Sequence, residues 1–162
     1  MFHLMSPEIP MLQTISSDES TSQVENASGS LVEVIETVID SLDSGQTAMV
    51  NRSEEGHLWK FKYGTVEVFV QLTGLLEDDT LTVWAAVLKL PAKDEPKLMR
   101  QLLEKNWSDT LEARFGIMNN EVVVVTNRSI ADLSPSELSR AITIVATIAD
   151  ESDEPLIAEF GT

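Results

Sequence analysis

Acid–base or metal chemistry in this chain has to come from few side chains. The only histidines are His3 and His57, and His57 follows "SEEG", which sets Glu54 and Glu55 beside it as an acid–base grouping. The run Glu77-Asp78-Asp79 offers oxygen ligands of the kind Mg²⁺ or Ca²⁺ prefers, and "DESDE" at 150–154 offers more. Neither run has the 1-3-5 spacing and closing Glu of a calcium loop, so both read as solvated acids. The chain has no cysteine, which excludes disulfides, thiolate metal sites and thiol nucleophiles. It also lacks G-x-S-x-G, a P-loop and G-x-G-x-x-G. His57 therefore has no nucleophile at a recognisable motif to serve. We expect no catalytic residue, no metal site and no cofactor, with a hydrolase built on His57 as a remote alternative.

The 162 residues suit one domain plus some tail, and 43% hydrophobic content is enough for a core. Eleven Lys and Arg stand against 27 Asp and Glu, a formal charge of −16. Such a field repels phosphate backbones and anionic lipid, so neither nucleic acid nor membrane is expected as a partner. Its first effect is solubility, and it also suits basic segments of a partner. The N-terminus lacks the basic and apolar regions of a secretory signal, and no apolar run approaches the roughly 20 residues of a spanning helix. A cytoplasmic protein is the expectation. Four Asn-x-Ser sequons, at Asn26, Asn51, Asn106 and Asn127, then read as chance.

These side chains must be carried by elements, and the elements can be read from hydrophobic period. Residues 1–27 are polar, Ser-rich and acidic past the first 15, and read as a flexible arm; the apolar start is either a loosely held tail or a short docking segment. The domain proper is expected over 28–154, with a C-terminal tail at 155–162. Ser30 and Glu33 form a capping box for a helix whose stripe is Leu31, Val34, Ile35, Val38, Ile39 and Leu42, stopped at Gly45. Three strands follow: "HLWKFKYG", "TVEVFVQLTG" and "LTVWAAVLKL", with "TAMVN" at 47–51 as a further edge strand. Asp94 caps a second helix that ends at Asn106-Trp107. Two strands joined by Asn119-Asn120 come next, and "SPSE" opens a last helix that frays near Asp150. The order α-β-β-β-α-β-β-α, with short turns between strands, gives an α+β domain: a mostly antiparallel sheet with helices.

Leu102, Leu103 and Asn106, then Ala113-Arg114-Phe115-Gly116, then the Ser-Pro helix start over Leu133–Leu138, are similar to the YbjN-like family. With the element order, this resembles the type III secretion chaperone-like fold over about residues 30–154. The resemblance implies that fold, frequent dimerisation and a protein-binding role, and it supplies no catalytic residues.

Two strands are apolar on both faces. "LTVWAAVL" sets Leu81, Val83, Ala85 and Val87 on one side and Trp84, Ala86 and Leu88 on the other; "EVVVV" repeats this, and Phe69 interrupts the polar face of the strand before. A sheet covered on one side should be polar on the second, so that second face is covered by another helix, a subunit or a client. The candidate interface residues are Phe69, Trp84, Ala86, Leu88 and Trp107, with Trp107 alternatively a plug over the end of the core. The expected function is a non-catalytic protein-interaction or chaperone-like module, a homodimer with a protein client. The alternative is a structural subunit or assembly factor of a larger complex.

Overall fold

The computed structural model describes residues 31–162. The arm at 1–27 and the Ser30 capping box lie outside the described residues. Helix α1 covers 31–42. It is followed by β1 (Met49–Ser53), β2 (Gly56–Tyr63), β3 (Val66–Leu72), β4 (Thr80–Lys89), α2 (Glu95–Ser108), β5 (Arg114–Met118), β6 (Glu121–Ser129) and α3 (Pro135–Phe160). The short edge segment is thus a true strand, and the sheet has six strands in the order β1-β2-β3-β4-β6-β5, every pair antiparallel.

Alternation along the strands builds one core. Trp59 and Phe61, Val68 and Val70, Val83 and Ala85, and Val122 and Val124 share the face on which Ile35 and Ile39 of α1, Leu98 and Leu102 of α2, and Leu138, Ile142 and Val145 of α3 pack. The turns carry the expected chemistry. Asn119 and Asn120 both have positive φ, 51° and 60°, the pair of left-handed residues a tight hairpin requires. Ser134 and Glu137 complete a capping box with Pro135 in the first turn. Asp94 caps α2 through a bond from the Lys97 N–H.

Three expectations need correction. First, α1 ends by residue 42, and the left-handed residue beyond it is Gln46 at φ 52°, not Gly45. Asp43 holds this loop, accepting from Thr47 Oγ1 and the Ala48 N–H at 2.7 Å each.

Second, the C-terminal tail belongs to the domain. Helix α3 passes through the acidic run and Pro155 to Phe160, and Leu156 and Phe160 are buried. The acids that suggested fraying are partly in use. Thr65 donates its N–H and Oγ1 to Asp150 Oδ1 at 2.9 and 3.1 Å, and its Oγ1 lies 2.6 Å from Asp153 Oδ2. Beyond Pro155 the helix is fastened at its end, where the Phe160 carbonyl accepts from Lys93 N–H at 2.8 Å and Glu159 pairs with Lys97 at 2.9 Å.

Third, Asn106 does not end α2. It lies inside the helix, which continues to Ser108.

Candidate protein-interaction site

The helices take one face of the sheet, and the other is left uncovered among the described residues. Register decides who stands there. Phe69 pairs directly with Trp84, and Trp84 with Val125. On the same face, Leu58 pairs with Gln71, and Ala86 with Val123. Phe69 and Trp84 stack with ring centroids 5.2 Å apart and planes 8° from parallel. Leu58, Phe69, Trp84, Ala86 and Val125 are all half-buried, so each still offers apolar surface to a partner.

Polar side chains border this stack. Lys60 pairs with Glu67 at 3.6 Å, and Gln71 and Thr82 follow along one margin. At the far side Arg114 donates to Asn127 Oδ1, and Asn127 Nδ2 donates to Thr82 Oγ1 at 2.9 Å. An apolar centre with a hydrogen-bonding rim is the anatomy of a protein interface.

The register removes Leu88 from this surface. Pairing slips by one residue between Ala86 and Leu88, so Leu88 stands opposite Val122 on the helix-covered face and is 5% exposed. Strict alternation over "LTVWAAVL" placed it with Trp84; the bulge after Ala86 reverses that phase. Sequence reasoning missed Leu58 and Val125. "EVVVV" carried the signal for Val125, but only the pairing of β6 with β4 sets it beside Trp84.

Trp107 lies elsewhere. It projects from the last turn of α2 and is 93% exposed, so it does not plug the core. Leu103, Leu111 and Ile117 are also well exposed near this end of the molecule. Between α2 and β5 an apolar groove of about 290 Å³ is lined by Met99, Leu102, Leu103, Asn106, Phe115 and Ile117.

The side chains with chemical potential are dispersed. His57 stacks on Trp59, centroids 5.3 Å apart, with its Nδ1 buried and unpartnered. Glu54 and Glu55 are exposed in the preceding turn. Asp79 organises its own loop by accepting from Thr73 Oγ1 and the Leu76 N–H, each at 2.9 Å. Among the described residues, no group of three or more His, Cys, Asp or Glu could hold a metal ion, and no helix is long and apolar enough to cross a membrane.

An α+β domain with three helices and a six-stranded antiparallel sheet in this order has the architecture of the type III secretion chaperone-like fold. Two solved structures share it. A chain of the ExsC–ExsE complex matches 83% of this chain over 92% of its own length, at 15% identity and TM-score 0.52. A chain of the HopA1–SchA chaperone–effector complex matches 75% of this chain over 94% of its own, at 12% identity and TM-score 0.50. The chain belongs to the YbjN family, whose profile, described as "Putative bacterial sensory transduction regulator", matches residues 31–158. Among curated proteins, none shows significant sequence similarity to it.

Proposed function

We propose that this protein is a non-catalytic, chaperone-like binding module that takes a protein partner on the open face of its sheet. The observation that carries this reading is the half-buried Phe69–Trp84 stack on a sheet face that no described helix covers. Two fold relatives at low identity come from complexes with a protein partner, one of them described as chaperone–effector, which supports a binding role. The family's description as a regulator of sensory transduction is equally at home with an activity exercised through protein contacts. The test is capture of partners from the native host by wild type and by Trp84→Ala. Partners that bind wild type and vanish with the variant, while its circular dichroism is unchanged, support the reading; identical capture overturns it.

A second surface favours self-association. Trp107, Leu103 and Ile117, exposed at 93%, 70% and 59% beside the α2–β5 groove, form an apolar area separate from the Phe69–Trp84 face. A homodimer through this area would leave the sheet face free for a partner. Light scattering on a sizing column should give a dimer mass for wild type and a monomer for Leu103→Glu. A monomer for both sinks the dimer.

A further inference from the structure

The open face differs in charge from the rest of the chain. Register places Lys60, Lys62, Lys89 and Arg114 on it against Glu67 and Glu121, a net of +2 in a chain of −16. The sequence ahead of α1 has the opposite character. No Lys or Arg occurs before Arg52, and residues 1–30 contain Glu8, Asp18, Glu19 and Glu25. That same sequence begins with the apolar residues Phe2, Leu4, Met5, Ile9, Met11 and Leu12.

Reach is sufficient. Helix α1 lies over the β1–β2 edge, where Glu36 accepts from Arg52 at 2.8 Å and from Trp59 Nε1 at 3.3 Å. From β1 to β4 is about 14 Å at the ordinary strand spacing. Residues 16–30 are polar and Ser-rich, and a chain of that length reaches roughly 20 Å.

We propose that residues 1–15 of this chain dock on its own open sheet face. Their apolar side chains cover the Phe69–Trp84 stack, and their acids and those of the linker lie along Lys60, Lys62 and Arg114. The segment is then a tethered occupant that a protein partner must displace, which rests on the reading of this face as the partner's surface. Tethering raises the local concentration of the segment, so weak contacts are enough for occupancy and still permit release.

The absence of native cysteine makes the test direct. A nitroxide on His3→Cys in the full chain should remove most of the peak intensity of the amides of Phe69, Trp84 and Val125, while amides of α3 serve as the undisturbed reference. Met11→Asp with Leu12→Asp in the same labelled chain should restore those peaks, and Lys62→Glu should restore them in part. Equal intensities throughout overturn the proposal, as does broadening centred on Leu103, Trp107 and Ile117. Mixing spin-labelled chain with isotopically labelled, spin-free chain should give no broadening; broadening there assigns the occupant to a second copy and overturns intramolecular docking. The two readings fail separately. Absent broadening with partner capture still lost in Trp84→Ala removes the arm and leaves the proposed function. Broadening with capture unchanged in Trp84→Ala overturns the competition between arm and partner.

Discussion

Asn106 brackets Phe115: its Oδ1 accepts from the Phe115 N–H at 2.7 Å, and its Nδ2 donates to the Phe115 carbonyl at 3.3 Å. Strand β5 is the last in the sheet, and Phe115 stands opposite Val124 with these groups turned away from β6. A primary amide supplies one donor and one acceptor at the spacing of a neighbouring strand. It therefore fills the place where another chain would add. Two residues earlier, the Ala113 N–H is taken by the Thr110 carbonyl at 2.9 Å.

Asn106→Ala should cost about 1–3 kcal/mol, because it leaves two part-buried backbone groups of Phe115 unsatisfied at once. Urea unfolding measures the cost, and light scattering should show greater assembly through the freed edge. An unchanged midpoint would mean that water replaces the amide without penalty.

Trp84→Ala and Val68→Ala should separate binding from stability. Val68 is fully buried and its truncation opens a cavity worth on the order of 2 kcal/mol. Trp84 is half-buried, and the fold itself loses mainly its stack on Phe69, about 0.5–1.5 kcal/mol. Partner association should weaken by about 2 kcal/mol or more for Trp84→Ala if it anchors the interface. A larger melting shift for Trp84 than for Val68 would place Trp84 in the core and the binding surface elsewhere.

The pH dependence of α3 follows from two carboxylates. The Ser134 N–H, at 3.0 Å, and then Arg128 hold Glu137 below the usual carboxylate range; a bond from Arg140, at 2.7 Å, does the same for Glu112. Both groups have folded values below their unfolded ones. Their stabilisation is thus present above the unfolded carboxylate range and is lost as pH falls through the folded value. The melting-temperature gap between wild type and Glu137→Gln should be widest at neutral pH and close as the medium is acidified below about pH 4. A gap that stays constant into acid would show that the charge is not responsible.

Removing residues 155–162 should unfold the domain or nearly so. Leu156 and Phe160 are 2% and 1% exposed, and the Phe160 carbonyl anchors the loop before α2 through Lys93. Leu156→Ala is the milder form, at about 2–5 kcal/mol by chemical denaturation. A truncated chain with an unaltered transition would return the segment to the status of a tail.

Most of the architecture was legible because it depends on period and caps. The stripes of α1 and α3, the Ser134–Glu137 box and the Asn119-Asn120 turn are local, and each appears in the sequence at its structural position. What escaped depends on partners remote in the chain. Asp150 and Asp153 look like a helix stop until Thr65, some 85 residues away, accounts for two of their oxygens. Asn106 looks like a terminator because the acceptor and donor it serves lie on a later strand. For the candidate site, Phe69 and Trp84 could be named from composition, but their direct pairing needed the register of β3 on β4. Leu88 was misplaced because alternation assumes an unbroken ladder.

That break in the ladder sets a boundary in β4 with a bearing on how such a chain can vary. With the slip after Ala86, Leu88 goes inward and Lys89 outward, so the apolar stretch of the open face terminates at Ala86. Deleting Val87, the extra residue, would leave Leu88 opposite Val122 and Lys89 outward, whereas closing the bulge with no residue lost would bury an ammonium and expose a leucine. The strand therefore depends on Val87 staying out of the ladder, by bulging or by its loss, to keep Lys89 in water. Relatives that recognise different molecules on this surface should differ by side-chain exchanges at Phe69, Trp84 and Val125, with a residue fewer between Trp84 and Lys89 only where the bulge is lost.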